Sequence, residues 1–200
     1  MREVVPGVFE WSWFSSEKQL DLNGHYVVEG DDRVLIDPPT LSQADRAEID
    51  RRGGVTAIVL TNRDHLREIA SCHTAFGAPV WAPAADADQI DVKPDHLFRN
   101  GDRLPGGLVA VAVPDSKSPG ETALWAPARR ALIVGDAVIG KPAGALNLLP
   151  DDKFADPKKA RAGLSTLLAP RLDYDAVLVG DGASLTTGGR AALARLAGAA

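Results

Sequence analysis

Cysteine is almost absent from this chain of 200 residues, in which Cys72 is the only one. A single thiol excludes a disulfide within the chain and a zinc cluster made of several cysteines. The stretch EIASCHTAF around it has a helical pattern, so we expect Cys72 to be a buried helix residue rather than a catalytic thiol. A chain without disulfides suits a reducing compartment, and we predict a cytoplasmic location.

Long runs of basic or of apolar residues are also missing. The chain has 22 basic and 27 acidic residues, a formal net charge of −5, and no stripe of lysine and arginine. Phosphate backbones bind clustered positive charge, so nucleic acid is not an expected partner. No segment approaches the ~20 apolar residues of a membrane span, and the first residues lack the apolar stretch of a signal peptide. We predict a small-molecule ligand and no membrane partner, and the oligomeric state stays open.

The composition that remains is that of a globular protein, 45% apolar and 24% charged. Neither a repeat nor a linker interrupts the chain, so residues 1–200 are predicted to form a single domain. The first third has strand-like patterns, and apolar strands then alternate with helices or loops. Helices are predicted from the caps Thr40 or Ser42 to about Arg52, at about 66–76, at 156–169 and at about 188–197.

Polar residues follow four of the apolar runs. Runs 55–60, 108–113, 131–135 and 176–180 are followed by Asp64-His65, Lys117, Asp136 and Asp181, respectively. In sheets of this kind, ligands collect beyond the carboxyl ends of the strands. We therefore predict that these side chains share one site along a sheet edge.

Several stretches of the chain together carry a family pattern. They are VPGVFEW, VLIDPP, TAIVLTNRDH, VPDSKSPGETALWAPARRALIVGDAVIG and VLVGDGASL. In order and spacing they resemble the metallo-β-lactamase fold superfamily, in particular its glyoxalase II-like hydrolases. The 19-residue interval from Lys117 to Asp136 is similar to the family's interval between its second-motif histidine and its bridging aspartate. The resemblance covers most of the chain and implies an α/β fold, a four-layer αβ/βα sandwich with the site at one edge.

The departures from this family pattern fall on the metal ligands. The family's first motif is His-x-His-x-Asp-His, whereas this chain has TNRDH and lacks both leading histidines. Lys117 stands in place of the second-motif histidine, and Asp181 in place of the last histidine. Carried over by the resemblance, the second metal position keeps Asp64, His65 and Asp136 and gains Asp181. The first position keeps only the shared Asp136, so a binuclear zinc hydrolase is not expected.

Two interpretations of this site stay open, because several buried carboxylates cannot all remain ionised without cations. In the first, Asp64, His65, Asp136 and Asp181 bind one divalent ion, which is zinc, manganese or iron. That ion activates a water to hydrolyse an ester, thioester or phosphoester, with Asp64 and Lys117 as the catalytic residues and Lys117 stabilising the oxyanion. In the second, no metal is bound. The Lys117 ammonium replaces the charge of the lost ion, and the protein is a non-catalytic relative with a binding or structural role.

Two further interpretations of the function stay open. In one, Lys117 or His65 acts as an acid or base without a metal. In the other, the protein binds a phosphate at the N-terminus of the helix that follows VGDGASLTTGG. Asp37 ends the stretch VLID, and the resemblance implies that it supports the metal loop from behind the ligands.

Three aromatic side chains and one histidine stand in the N-terminal strands. Trp11, Trp13 and Phe14 are expected in the core, as aromatic residues of an alternating strand usually are. His25 is expected at a strand end or on the surface.

Overall fold

The computed structural model of the protein describes residues 1–198. Within that range, the strands of the first sheet are β1 (Arg2–Val5), β2 (Val8–Ser15), β3 (Leu20–Glu29), β4 (Asp32–Ile36), β5 (Ala57–Val59), β6 (Val80–Pro83) and β7 (His96–Phe98). Those of the second sheet are β8 (Arg103–Leu104), β9 (Leu108–Ala112), β10 (Thr122–Ala126), β11 (Ala131–Val134) and β12 (Ala176–Val179). The helices are α1 (Gln43–Arg51), α2 (Ile69–Phe76), α3 (Pro157–Gly163) and α4 (Gly189–Ala197). None of the helices in residues 1–198 is long and apolar enough to cross a membrane.

The strand order brings several carboxyl ends to one edge of the molecule. The first sheet has the order β1-β2-β3-β4-β5-β6-β7, with antiparallel pairs up to β4 and parallel pairs from β4 onward. The second sheet has the order β12-β11-β10-β9-β8, in which β11 and β12 are parallel. Parallel neighbours end at the same edge of a sheet. The loops after β4 and β5, and those after β11 and β12, are therefore neighbours.

Alternating side chains of the two sheets build the layers. Ile133 of β11 packs in an apolar cluster that both sheets share, whereas its neighbour Leu132 packs with Leu193 of α4 on the other face. On the outer face of the first sheet, Leu35 of β4 packs with Ile49 of α1. Each of these side chains is 0–1% exposed, which stabilises the fold by roughly 1.5–3 kcal/mol apiece. The order of layers is helix, sheet, sheet and helix, which confirms the predicted α/β sandwich.

The helix ends follow the capping residues of the sequence. The Ser42 side chain caps α1 by accepting a hydrogen bond from the Asp45 backbone N–H, and Asp156 caps α3 ahead of Pro157. Helix α2 ends at Gly77, which has φ +65° and so takes the left-handed conformation that closes helices. The helices predicted at 66–76 and 156–169 are shorter in the structure, because their ends are 3₁₀ turns or irregular backbone.

The N-terminal strands correct two expectations. His25 is not at the surface but 1% exposed, with its Nε2 3.3 Å from Glu10 Oε2. Trp11 is buried as expected, but Trp13 and Phe14 are 50% and 57% exposed. Trp13 and Phe14 are exposed because of the strand register. They pair with Leu22 and Asp21 of β3, whereas β4 pairs with β3 only from His25 onward.

Candidate functional site

Loops at the strand ends of both sheets carry the site residues. Asp37 follows β4, and residues 61–65 follow β5. From the second sheet, Asp136 and Asp181 follow the parallel strands β11 and β12, and Lys117 lies in the loop between β9 and β10. The contacts described below join these loops across the two sheets.

His65 is buried at the centre of the site, with an aspartate on each side of its ring. Its Nδ1 lies 2.8 Å from Asp37 Oδ2, and its Nε2 lies 3.4 Å from Asp136 Oδ1. Burial and the Arg67 guanidinium lower the pKa of His65, but the two carboxylates outweigh them and raise it to about 10. The two carboxylates therefore favour the protonated form of the ring.

Asp37 connects His65 to the loop after β5. Its Oδ1 accepts a hydrogen bond of 2.9 Å from the backbone N–H of Thr61, and its Oδ2 accepts one from the Thr61 hydroxyl. The backbone of Asp37 has φ +45°, which is uncommon for a residue with a side chain. Asp37 thus contacts the histidine from behind, a place that agrees with the supporting role implied by the resemblance.

Lys117 lies between two carboxylates. Its Nζ is 3.0 Å from Asp136 Oδ2 and 3.2 Å from Asp64 Oδ2. Partial burial lowers the pKa of Lys117, but Asp136 and Asp64 outweigh burial and raise it. Burial by itself raises the pKa of Asp136, but His65 and Lys117 hold it well below its usual range. The site therefore contains an ammonium paired with an ionised, buried aspartate.

Arg67 is a cation of the site that no motif in the sequence indicated. Its Nη2 donates a hydrogen bond of 2.7 Å to Asp181 Oδ1 and lies 3.4 Å from His65 Nε2. Its Nη1 donates to the backbone carbonyls of Asn23, at 2.7 Å, and of Asp37, at 3.2 Å. The only signal in the sequence is an arginine two residues after the Asp-His pair, and surface loops contain such residues often.

Glu121 is a second site residue that the sequence did not reveal. Its side chain is fully buried and accepts hydrogen bonds from Asn62 Nδ2 at 2.7 Å and from the Ala137 backbone N–H at 3.0 Å. Burial and the nearby Asp136 raise the pKa of Glu121 to about 8, although His65 opposes them. Burial beside Asp136 thus favours the neutral form of Glu121.

The predicted metal ligands come together only in part. Among the described residues, one group of three could hold an ion, namely His65, Asp136 and Asp181. Each offers one donor atom, and the three atoms lie within 4.8 Å of one another. Asp64, the fourth predicted ligand, is outside that group and pairs with Lys117. Asp181 Oδ1 already accepts a hydrogen bond from the Arg67 guanidinium, and the same guanidinium nitrogen lies 3.4 Å from His65 Nε2. In this arrangement the donor set does not fit a divalent ion, because a fixed cation already contacts two of its three donors.

A cavity of about 630 Å³ opens over these residues. The cationic side chains that line it are Lys18, Lys117, Lys141 and Lys153. Apolar residues that line it are Leu20, Ile139, Leu149 and Pro150. Asp136 and Asp181 of the site line it as well. Glu17 is a further acidic residue of the lining. The volume suits a small molecule, and the lysines and apolar side chains could contact its negatively charged and apolar parts.

A family model described as the metallo-beta-lactamase superfamily matches residues 2–200 of the sequence. The chain belongs to the metallo-beta-lactamase superfamily. A hydroxyacylglutathione hydrolase of Fuscovulum blasticum is 30% identical over 147 residues, which are 70% of this chain and 57% of that protein. The match thus spans little more than half the length of this curated relative.

Solved structures of superfamily members share the fold. A metallo-beta-lactamase from Pontibacter korlensis superimposes with a TM-score of 0.74 at 17% identity, over 96% of this chain and 93% of that chain. FIM-1 from Pseudomonas aeruginosa, in a mono-zinc form, gives a TM-score of 0.71 at 15% identity, over 96% and 92%. Identities this low support a common fold and do not transfer an activity.

The superfamily's first motif is filled here by residues that serve the fold. Counting back from Asp64-His65, Leu60 and Asn62 occupy the places of the two leading histidines. Leu60 is fully buried in the outer apolar cluster of the first sheet. Asn62 accepts a hydrogen bond from the backbone N–H of Asp64 and donates one to Glu121. Leu60 has no donor atom for a metal, and both ends of the Asn62 amide already make hydrogen bonds within the protein.

Proposed function

We propose that this superfamily member works without a metal and binds a small anionic molecule in its cleft without hydrolysing it. The observation that carries the proposal is the position of the Lys117 ammonium, 3.0 Å from Asp136 Oδ2 and 3.2 Å from Asp64 Oδ2. A cation at this point compensates the two carboxylates, which is the electrostatic role that a bound ion would otherwise have.

The charges of the surrounding side chains support the same proposal. The aspartates of the site are Asp37, Asp64, Asp136 and Asp181, and the cations that contact them are His65, Arg67, Lys117 and Lys18. These aspartates and cations are equal in number, and the raised pKa of Glu121 favours its neutral form, so the folded chain compensates most of the charge of its own site. A divalent ion would add two positive charges to a set of groups that is already balanced, and such excess charge is costly in a partly buried site.

The cleft indicates the class of ligand. Lys141 and Lys153 line it without contacting the site's aspartates. Lys141 donates to the Gln19 carbonyl and Lys153 lies 3.7 Å from the exposed Asp152, and each ammonium has further N–H groups for a carboxylate or phosphate. Leu20 and Ile139 offer apolar surface nearby. Because the curated relative is a hydroxyacylglutathione hydrolase, a hydroxyacylglutathione is the natural first probe. It is a thioester that carries carboxylates and apolar parts of suitable size.

A second candidate is a hydrolase that uses one metal ion. The observation in its favour is that donor atoms of His65, Asp136 and Asp181 lie within 4.8 Å of one another. This candidate requires that the Arg67 side chain leave Asp181 and that the ion, on binding, displace any proton on His65. The ion would then supply an activated water and polarise the bond to be hydrolysed.

Metal analysis and thermal melting separate the two candidates. The purified protein is supplemented with zinc, manganese or iron, dialysed, and analysed for metal, and its melt is recorded with and without a chelator. We expect well under one equivalent of metal and an unchanged melting temperature. About one equivalent, with a melt that falls on chelation, would instead establish the one-metal hydrolase.

Calorimetric titration with a hydroxyacylglutathione tests the binding function. We expect binding without release of free thiol, and weakening by about two- to fivefold for Lys141→Ala and for Lys153→Ala, since exposed charge pairs contribute about 0.2–1 kcal/mol. Lys93→Ala is the matched control, because Lys93 is exposed and does not line the cavity. Equal affinities of all four proteins, or no binding by the wild type, would contradict the proposed ligand class.

A further inference from the structure

The Arg67 guanidinium lies against two of the three residues that could hold a metal ion. Its Nη2 is 2.7 Å from Asp181 Oδ1 and 3.4 Å from His65 Nε2, two of the donor atoms that such an ion would use. A metal bound to Asp181 Oδ1 lies about 2.0–2.2 Å from that oxygen and so would be within about 5 Å of the guanidinium nitrogen. A guanidinium keeps its proton in proteins, so it cannot become neutral to accommodate the ion.

The arginine is held firmly by acceptors from both sheets. It donates to the carbonyls of Asn23 on β3, at 2.7 Å, and of Gly180 after β12, at 3.1 Å, in addition to the Asp181 carboxylate. The carbonyl of Asp37 accepts a further hydrogen bond at 3.2 Å. The side chain is 8% exposed. One guanidinium therefore cross-links the loops that a shared metal ion would otherwise join.

The backbone at Arg67 provides an independent observation. Its φ is +34°, in the left-handed region that residues with side chains rarely adopt. Such a conformation persists only where the surrounding contacts determine it, and it occurs preferentially at functional sites. The hydrogen bonds of the guanidinium are contacts of this kind.

We propose that Arg67 is an internal cation that replaces the second metal ion and excludes divalent ions from the site. Removing its side chain opens a site for one divalent transition-metal ion, formed by His65, Asp136 and Asp181. The inference rests on the proposed metal-free function but adds a cation that is different from Lys117 and that pairs with Asp181 rather than with Asp136. On this proposal, the absence of metal depends on one side chain, which a single substitution removes.

The test is the binding of Zn²⁺ or Mn²⁺ to variants at this position, measured by equilibrium dialysis and by thermal melting. Arg67→Gly removes the side chain and suits the positive φ, and Arg67→Lys keeps a cation. Arg195→Ala, at an exposed position on α4, is the control for the loss of one positive charge. We expect about one equivalent of Zn²⁺ and a higher melting temperature with Zn²⁺ for Arg67→Gly only. Arg67→Gly combined with Asp181→Asn should lose that binding, because one ligand is missing.

The outcomes separate this inference from the proposed function. Stoichiometric metal on the wild type would overturn both. A folded Arg67→Gly that binds no metal would overturn the exclusion by Arg67 and leave the metal-free function in place. If Arg67→Gly unfolds without metal, refolding on addition of Zn²⁺ supports the inference. If it stays unfolded with Zn²⁺, the variant to measure is Arg67→Gln, whose neutral amide keeps a hydrogen-bond donor to Asp181. The inference then requires that Arg67→Gln bind Zn²⁺, and a folded Arg67→Gln without Zn²⁺ binding would overturn it.

Discussion

Lys117 Nζ and Asp136 Oδ2 lie 3.0 Å apart, and this ion pair joins the loop before β10 to the end of β11. The two partners differ in exposure, because Asp136 is 2% exposed and Lys117 is 27% exposed. Substituting the partly exposed lysine therefore leaves no cavity in the core, but it leaves the buried Asp136 carboxylate without its cation.

Lys117→Met tests how much this pair stabilises the fold. Removing one partner of a buried pair leaves an uncompensated charge, and we expect a loss of about 2–3 kcal/mol in the free energy of unfolding, measured with urea. Lys117→Arg keeps the cation and should retain most of the stability. A change for Lys117→Met no larger than that of the exposed control Lys93→Ala would show that another cation, such as a metal, neutralises Asp136.

The pH dependence of stability follows from His65. Its pKa is about 10 in the folded protein and 6.5 in the unfolded chain, so its stabilisation is fully present below pH 6.5 and is lost as the pH rises to 10. The raised pKa of Glu121, about 8, acts in the same direction but only between pH 4.5 and 8. Between pH 8 and pH 10 the free energy of unfolding should fall mainly because of His65. Denaturant titrations should show a flatter profile in this window for His65→Gln.

Asp37→Asn tests the cause of the raised pKa of His65. The variant keeps the shape of the side chain and removes one of the two carboxylates that hold the imidazolium. We expect the pKa of His65 to fall by about 1 to 2, because a neighbouring opposite charge has an effect of that size. An NMR titration of the imidazole signals measures it, with the exposed His96 as an internal reference. An unchanged His65 titration would mean that Asp136 by itself keeps the ring protonated.

Cys72 supplies a probe of the fold that is independent of the site. Burial and Glu68 raise the pKa of its thiol to about 11, from 9.0, although Arg46 opposes them. At a given pH this lowers the thiolate fraction about 100-fold, and the thiolate is the reactive form. A disulfide reagent should therefore label the native protein far more slowly than the protein in denaturant, at one site per chain. Fast labelling of the native protein would contradict the burial of α2 against the first sheet.

Local patterns of the sequence predicted most strands and helices, and the resemblance to the superfamily implied how they are layered. Apolar runs such as 131–135 indicated buried strands, and Ser42 and Asp156 marked the starts of two helices through hydrogen bonds made within a few residues. His25 and Trp13 were misplaced, because their exposure depends on how far β4 extends along β3. That is a matter of register between strands, and no single strand pattern contains it.

The sequence by itself determined that Asp64, His65, Lys117, Asp136 and Asp181 come to one sheet edge, since each follows an apolar run of a superfamily pattern. Its metal-free interpretation also predicted that the Lys117 ammonium lies among these carboxylates, because the lysine takes the place of a ligand. Only the tertiary structure decided that Arg67 is the partner of Asp181, 114 residues away. Only it decided that Glu121 is buried beside Asp136. The physical reason is that the interaction between two charges depends on the distance between them in space. The distance between loops of two different sheets depends on how the sheets pack, and the sequence of one loop does not specify it.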